Sequence, residues 1–333
     1  METAILAIIL FCVMIFPHEL GHYIAAKRLG VKVNEFAFGM GPVIWKKQKG
    51  ETLHSIRLFP IGGFCSMEGE DEDSDEPRAF NNKKPWQKII ILAAGSFMNV
   101  LCAILIMSIV VGVLGFTTTT IDTVSEGSPA ETAGIMAGDE ITAIDGQPIE
   151  AWTDVSAAIA SAEGGQIIMT VQRDGRTLEA AVTPEQTQDG AFLIGITSRV
   201  NHNPFRAVAE GAKSTWNITV SMFQTLSQLF TGQLGADSLS GPVGMVQMVS
   251  QTTQYGWWYY GFLTALICIN LAIINMLPLP ALDGGRIIFV IISMITGRPV
   301  SQKVEGTVHF VGIMLLFGLM AYVTFNDITR IFG

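Results

Sequence analysis

Four apolar segments constrain the fold of this chain more than any other feature. Each is long enough to cross a bilayer as a helix, which takes about 20 mostly apolar residues. They cover residues 1–26, 89–115, 257–280 and 307–327. The composition agrees, because 49% of the residues are hydrophobic and 15% are charged, against about 25% charged in an ordinary soluble protein. The sequence therefore predicts a polytopic α-helical membrane protein with four transmembrane helices.

The basic residues predict how these helices are oriented. Residues 27–88 contain eleven Lys and Arg, whereas residues 116–256 contain five in more than twice the length. Because Lys and Arg accumulate in cytoplasmic loops, we expect 27–88 and 281–306 to lie inside the cell. The N terminus, residues 116–256 and the tail at 328–333 are then expected outside.

The first cytoplasmic loop, 27–88, predicts β structure. Apolar and polar residues alternate over 31–38 and 54–59, and Gly50 lies between them at a position suited to a hairpin turn. We expect a small hairpin or sheet that dips into the membrane, with an ordinary cytosolic hairpin as the alternative. A run with seven carboxylates at 68–76 is interpreted as a solvated, disordered loop.

The external region predicts a compact domain over residues 116–198. Five short strand patterns surround one helical pattern, and Asp174-Gly175 is a two-residue hairpin signal. The stretch at 127–149, GSPAETAGIMAGDEITAIDGQPI, resembles the core of a PDZ domain. We therefore expect one extracytoplasmic α+β PDZ-like domain, followed over 199–256 by amphipathic helices and a linker. Those helices suit either the membrane surface or packing against the PDZ-like domain.

Charge and cysteine usage narrow the classes of function. The formal net charge of −9 gives no reason to expect nucleic-acid binding. The four cysteines form no CxxC pair, and three of them lie in apolar runs. Neither a disulfide framework nor a cysteine zinc site is therefore expected.

Two histidines and a glutamate interrupt the first apolar segment, in FPHELGHYIA at 16–25. His18 and His22 are four residues apart, so a helix presents both imidazoles on one face at the spacing for one metal ion. Glu19 lies about 100° further around the helix, where its carboxylate can reach a water molecule without being a ligand. Gly21 leaves room for a neighbouring backbone. A charged side chain at the centre of a span costs roughly 2.5–3.5 kcal/mol, and a zinc ion would offset that cost.

A third ligand is expected from the segment INMLPLPALDGGR at 274–286. Asp283 follows the cytoplasmic end of the third span, at the depth expected for the two histidines. Pro278 and Pro280 end the helix, so the backbone that follows can turn Asp283 inward. A catalytic zinc usually has three protein ligands and one open position for water, which this set of residues would satisfy.

The residues beside Asp283 have expected roles of their own. Gly284 and Gly285 are expected to permit a tight turn and to leave no side chain that crowds the metal. Asn275 can both donate and accept hydrogen bonds, which suits holding a substrate backbone. A polar contact between helices is the alternative for Asn275.

In this order, the motifs resemble those of the site-2 proteases, a family of intramembrane zinc metalloproteases. The resemblance rests on HELGH in the first span, a PDZ-like insert after the second, and N-x-x-P-x-P-x-LDGG after the third. It covers nearly the whole chain and is strongest to the bacterial regulators of the sigma-E type. Enterobacterial members carry two PDZ domains, whereas this chain shows one.

The resemblance implies a cofactor, a set of site residues and a substrate class. It assigns these roles: His18, His22 and Asp283 as ligands of one catalytic Zn²⁺, Glu19 as the catalytic residue, and Asn275, Pro278 and Pro280 as substrate-binding residues. The implied substrates are single-span membrane proteins that another protease has already trimmed, such as anti-sigma factors or remnant signal peptides, in regulated intramembrane proteolysis. The implied location is the bacterial inner membrane, with the PDZ-like domain periplasmic and the active site toward the cytoplasmic side. The PDZ-like domain would filter substrates by size or bind peptide.

Other classes of function stay open at this point. A membrane-bound binding protein would capture peptides with its PDZ-like domain and keep a vestigial metal site. A zinc transporter would spread His and Asp over several spans, whereas His309 is the one histidine in another span here. A zincin with an extracellular site does not fit, because HELGH lies within a span.

Overall fold

The computed structural model describes residues 2–70, 72–235, 241–298 and 300–332. The α-helices are, in chain order, α1 (Glu2–Arg28), α2 (Pro85–Leu114), α3 (Pro129–Thr132), α4 (Trp152–Ser161), α5 (Pro204–Phe230), α6 (Pro242–Gln254), α7 (Trp257–Asn275), α8 (Asp283–Thr296) and α9 (Gln302–Phe332). The strands are β1 (Val33–Lys49), β2 (Thr52–Met67), β3 (Phe116–Val124), β4 (Glu140–Ile144), β5 (Gln147–Pro148), β6 (Ile167–Arg173), β7 (Arg176–Val182), β8 (Glu185–Gln186), β9 (Phe192–Leu193) and β10 (Ile196–Asn201). A 3₁₀ helix covers Phe80–Asn82.

Four of these helices, α1, α2, α7 and α9, are long and apolar enough to cross a membrane. The predicted fold class, a polytopic helical membrane protein with a PDZ-like domain, is confirmed. Helix α7 ends at Asn275, ahead of Pro278, because a proline cannot continue the hydrogen-bond ladder of a helix. Residues 287–296 are apolar but too short to cross a membrane, and they lie in the short helix α8. The amphipathic pattern after the PDZ-like domain forms one continuous helix, α5.

The described residues form two compact units. One unit comprises residues 111–210, and the other comprises the residues before 111 together with those after 210. In the flanking unit, β1 and β2 form a hairpin that folds back on itself. Residues 33–38 of β1 pair with 63–67 of β2 on one side and with the start of β2 on the other. The predicted turn at Gly50 is confirmed, with a φ of 62°. The end of β2 therefore forms an edge of this sheet.

A hydrophobic core joins this sheet to three helices. Its buried side chains come from α1, the hairpin, the 3₁₀ helix, α2 and α8: Ala26, Val31, Val33, Phe36, Cys65, Met67, Phe80, Ile91, Leu92 and Ile287. Burying one large apolar side chain contributes roughly 1.5–3 kcal/mol. The cluster therefore holds the sheet and α8 in place against α1 and α2.

A buried carboxylate anchors α6 to α9. Asp327 of α9 accepts hydrogen bonds from the backbone amides of Gly241, at 2.9 Å, and Gly244, at 2.7 Å. A Cβ atom on Gly241 would lie 2.9 Å from that carboxylate, and one on Gly244 would lie 3.0 Å from it. Glycine at both positions therefore allows the N-terminus of α6 to approach α9 this closely.

The acidic run at 68–76 is partly ordered. Glu68 accepts hydrogen bonds from three side chains of the same region, and Glu70 forms an ion pair with Arg286 of α8. The prediction of a solvated, disordered loop is wrong for these two carboxylates, because each has a specific partner. Asp71 lies outside the described residues.

The other unit is the PDZ-like domain. Its main sheet has the order β10-β3-β4-β6-β7, with β5 paired to β4. Strands β6 and β7 join through Asp174 and Gly175, whose φ angles of 48° and 76° are those of a two-residue hairpin turn. Gly195 adopts a φ of 78° between β9 and β10 and separates these two strands.

A buried ion pair in the PDZ-like domain leads to a first prediction. The Asp139 side chain is 1% exposed and accepts hydrogen bonds from Arg173 at 2.6 and 2.7 Å. Burial alone would raise the pKa of Asp139, but the bonds from Arg173 and the Met136 amide hold that pKa below its usual value. Arg173→Ala leaves a buried charge without its partner, so we expect the free energy of unfolding to fall by about 2 kcal/mol.

Hydrogen exchange of the full-length protein measures this loss as roughly 30-fold faster exchange in β4 and β6 at pH 7. Arg199→Ala is the control, because Arg199 and Asp122 lie 3.6 Å apart with both side chains about half exposed, and such pairs contribute little. Because folding lowers the pKa of Asp139, the ion pair stabilises the fold fully at pH values above about 3.9, the pKa of an unfolded Asp. At pH values below the pKa of Asp139 in the folded protein, this stabilisation is lost. The difference between wild type and Arg173→Ala should therefore vanish as the pH falls through that range. Equal exchange at pH 7 would refute the prediction.

Candidate metal centre

The His18 and His22 side chains of α1 lie against the backbone of α2 at Gly95, which has no side chain. Both histidine side chains are 9% exposed. A Cβ atom on Gly95 of α2 would overlap His22 Nε2 and would lie 2.7 Å from His18 Cε1. A Cβ atom on Gly21 would lie 2.7 Å from the carbonyl carbon of Ala94, which confirms that Gly21 admits a neighbouring backbone. The two helices therefore touch backbone to backbone, and the imidazoles lie directly on Gly95.

Asp283 reaches the same place as the first residue of α8. Gly284 and Gly285 follow in the first helical turn, and neither has a positive φ. A Cβ atom on Gly284 would overlap the Leu277 carbonyl oxygen, and one on Gly285 would lie 2.9 Å from the Leu279 carbonyl carbon. The prediction that these glycines permit a tight turn is wrong, because both lie within the helix; that they keep the metal uncrowded stays a prediction. They let α8 pack against the loop that leads into it.

Three ligand atoms converge where these segments meet. His18 Nε2 lies 3.2 Å from His22 Nε2 and 3.2 Å from Asp283 Oδ2, and His22 Nε2 lies 3.4 Å from the same oxygen. Four ligands at the zinc–nitrogen distance of about 2.0–2.1 Å in a tetrahedron are about 3.3–3.4 Å from one another. The observed spacings are those of three corners of such a tetrahedron. Among the described residues, this is the group of His, Cys, Asp and Glu side chains suited to a metal ion.

The hydrogen bonds around the cluster also fit a cation. His22 Nδ1 lies 2.8 Å from the Ile91 carbonyl oxygen, which can only accept, so Nδ1 carries the proton and the neutral ring turns the lone pair of Nε2 inward. Asp283 Oδ2 is buried with no hydrogen-bond partner among the described atoms. Electron-pair donors held this close repel one another unless a cation lies between them. The residues present therefore fit a zinc ion.

Glu19 lies against the end of β2. A Cβ atom on Gly63 would lie 3.4 Å from Glu19 Cγ, and the Glu19 carboxylate lies beside the backbone amide of Cys65. Both residues belong to the edge formed by the end of β2. Glu19 is thus held between the ligand-bearing face of α1 and a strand edge.

Asn275 also reaches the cluster. Its side-chain amide nitrogen lies 3.2 Å from His18 Nε2. Pro278 and Pro280 lie in the loop between α7 and α8, where Pro278 is exposed and Pro280 packs against Gly312 of α9. The structure thus brings Asn275 to the ligand atoms and leaves the two prolines in the supporting loop.

The contribution of α2 to this site does not follow from the motifs that predict the other site residues. Gly95 and the Ile91 carbonyl both contact the histidines, and nothing in the HExxH motif points to them. A signal existed nonetheless, because Gly95, Ser96 and Asn99 are small or polar residues in an otherwise apolar span. Ser96 and Asn99 are buried, and such residues in a membrane helix commonly mark a close helix contact.

Known proteins match the chain over almost its whole length. The sequence model of peptidase family M50 matches residues 6–319. A relative from Clostridium perfringens is 36% identical over 331 residues, covering 97% of this chain and 98% of its own. The regulator of sigma-W protease RasP from Bacillus subtilis is 32% identical over 420 residues, covering 99% of both chains. The zinc metalloprotease RasP from Geobacillus kaustophilus is 31% identical, covering 100% of this chain and 99% of its own.

Solved structures match a smaller share of the chain. The PDZ domain of an SdrC-like protein from Listeria innocua is 26% identical, covering 27% of this chain and 99% of its own, with a TM-score of 0.23. The corresponding domain from Listeria monocytogenes is 24% identical, covering 25% of this chain and 88% of its own, also with a TM-score of 0.23.

Proposed function

Because the chain belongs to peptidase family M50 and is a zinc metalloprotease of the site-2 type, we propose that it cleaves the transmembrane helices of single-span proteins. The observation that carries the proposal is the convergence of His18, His22 and Asp283, whose ligand atoms lie 3.2–3.4 Å apart. They come from one membrane-spanning helix and from the segment after another. These three residues would hold one zinc ion.

The catalytic roles follow from the chemistry of the neighbouring groups. A zinc ion held by His18, His22 and Asp283 would supply Lewis-acid chemistry at the scissile carbonyl and at a water molecule. Glu19 acts as the general base that takes a proton from the attacking water, and then as the acid that returns it to the leaving nitrogen. Ile91 keeps the His22 ring in one tautomer throughout, because its carbonyl oxygen accepts the Nδ1 proton.

A helical substrate must be unwound before it can be cut, because its peptide groups are bonded to one another within the helix. The edge at the end of β2, residues 63–67, supplies replacement hydrogen bonds by strand addition. This edge is suited to the role because it borders Glu19. Asn275 holds the substrate backbone from the opposite side, and Pro278 and Pro280 prevent the supporting loop from continuing α7 as a helix.

The surroundings of the site suggest how substrates are selected. The distribution of Lys and Arg supports a bacterial inner membrane location with residues 27–88 cytoplasmic and residues 116–198 periplasmic. The PDZ-like domain then acts as a size filter, which admits membrane proteins already trimmed of their external domain. Substrates of this kind are anti-sigma factors and remnant signal peptides, and the name of the Bacillus subtilis relative supports a link to sigma-factor regulation. Peptide binding by the PDZ-like domain is the alternative to filtering.

Purified protein in lipid vesicles tests this proposal with two single-span substrates that differ only in the presence of a folded external domain. We expect cleavage of the short substrate within its apolar segment, loss of cleavage with a chelator, and recovery on adding zinc. Asp283→Ala should lower the zinc content of the purified protein. Cleavage that persists in chelator would refute the zinc mechanism, and equal cleavage of both substrates would refute the size filter. Binding of the short substrate without cleavage would favour a peptide-binding membrane protein.

A further inference from the structure

His309 contacts the segment that carries Asp283, although it lies on a different helix. The backbone amide of Ala281 donates a hydrogen bond to His309 Nδ1 at 2.7 Å. The His309 side chain is 13% exposed, and its ring packs against Phe289 of α8 with ring centroids 5.6 Å apart. Helix α9 therefore contacts both the loop before Asp283 and the helix that begins at it.

The residue that His309 binds has a strained backbone. Ala281 has a φ of 74°, in the left-handed region that residues with a Cβ rarely adopt. Such conformations persist only where their surroundings hold them. Ala281 lies two residues before Asp283, so its conformation sets the direction in which the chain enters α8.

A second contact from α9 acts on the same turn. A Cβ atom on Gly312, one helical turn after His309, would lie 2.9 Å from the Pro280 carbonyl carbon. The backbone of α9 is thus pressed against Pro280 while His309 binds the next residue. Together the two contacts restrict the turn that precedes Asp283.

We infer that His309 is a positioning residue, which orients Asp283 toward the two histidines of α1 by accepting the hydrogen bond from the strained Ala281 amide. The inference rests on the proposed role of Asp283 as a zinc ligand. Nδ1 accepts a hydrogen bond from the Ala281 amide, so this nitrogen carries no proton of its own, and the ring has its proton on Nε2. The acceptor at the Nδ1 position, and not the bulk of the ring, is therefore the property that matters.

Two substitutions of His309 test the hydrogen-bond acceptor and the bulk of the ring separately. His309→Asn keeps an acceptor oxygen near the position of Nδ1 but loses most of the ring that packs on Phe289. His309→Leu keeps apolar packing on Phe289 but leaves the Ala281 amide without an acceptor. Changes to groups that orient a metal ligand typically weaken metal binding about 10–100-fold. We expect that loss of zinc affinity in His309→Leu and a change of less than about threefold in His309→Asn.

The measurement is zinc affinity of the full-length protein, determined by competition with a chelating dye, together with the thermal unfolding of the metal-free form. If His309 serves only to pack on Phe289, the order of the two variants is reversed, and that result overturns the inference. Equal affinities for the wild type and His309→Leu would also overturn it.

A third substitution tests whether His309 holds Ala281 in its strained conformation. Glycine adopts a positive φ without steric conflict, so Ala281→Gly should restore most of the zinc affinity in the His309→Leu background while changing little by itself. A double variant as weak as His309→Leu alone would contradict this mechanism. Asp283→Ala serves as the reference for loss of a ligand. Zinc retained in Asp283→Ala refutes the proposed ligand set, whereas zinc lost there but retained in His309→Leu refutes the positioning role alone.

Discussion

Glu19→Gln is expected to lower the rate of cleavage by about 10²–10⁴-fold, the usual contribution of a general acid–base group. Glutamine has nearly the same shape but cannot take a proton from water at neutral pH. Zinc should remain bound, because the three converging ligand atoms belong to His18, His22 and Asp283 and none of them to Glu19. The measurements are the single-turnover rate on a trimmed single-span substrate and the zinc content of the same sample.

Glu51→Gln is the matched control for this experiment. Glu51 belongs to the turn of the hairpin, where it pairs with Lys27 and Arg78. Its substitution removes a carboxylate from the same unit and should change the rate by less than about twofold, as expected for exposed ion pairs. Full activity in Glu19→Gln would remove this residue from the mechanism. Loss of zinc in Glu19→Gln would instead mean that it helps to bind the metal.

Gly95→Ala is expected to weaken zinc binding by about 100-fold or more, beyond the usual effect of a group that only orients a ligand. The added methyl group would overlap His22 Nε2 and would lie 2.7–2.8 Å from two atoms of the His18 ring. Both imidazoles would have to move, and the three ligand atoms would then no longer share one ion. Zinc affinity of the metal-free protein, measured by chelator competition, tests this without relying on catalysis.

Gly112→Ala, in the same helix α2, is the control. A Cβ atom there would lie 3.5 Å from Ala207 Cβ, which is an ordinary contact distance. We expect unchanged zinc affinity and the same helical content as the wild type. If Gly95→Ala also retains its zinc affinity, the histidines do not lie against Gly95 in the working enzyme.

Features that depend on local spacing could be read from the chain alone. The lengths of the apolar segments predicted the spanning helices, and the four-residue interval between His18 and His22 predicted a shared helical face. The Asp174-Gly175 turn followed from the same kind of local rule. The role of Asp283 follows from its depth at the end of the third span and from the resemblance of its motif to a known family, because nothing in local spacing relates position 283 to position 18.

Features that depend on contacts between distant segments do not follow from local sequence patterns. Gly284 and Gly285 were expected to form a turn, but the strained position is Ala281 and the glycines serve packing. The composition of the acidic run predicts a disordered loop, whereas Glu70 has a partner more than two hundred residues away in α8. Composition describes a segment in isolation, whereas these outcomes depend on what packs against it.

The amino-acid sequence by itself determined the number of spanning helices, the PDZ-like domain and the face of α1 that carries the two histidines. Only the tertiary structure decided that Gly95 underlies the imidazoles, that the end of β2 borders Glu19, and that α9 holds the turn before Asp283. The physical reason is that helical periodicity and turn propensity act over a few residues. A separation of 3.2–3.4 Å between ligand atoms from α1 and α8 is set by the packing of whole helices.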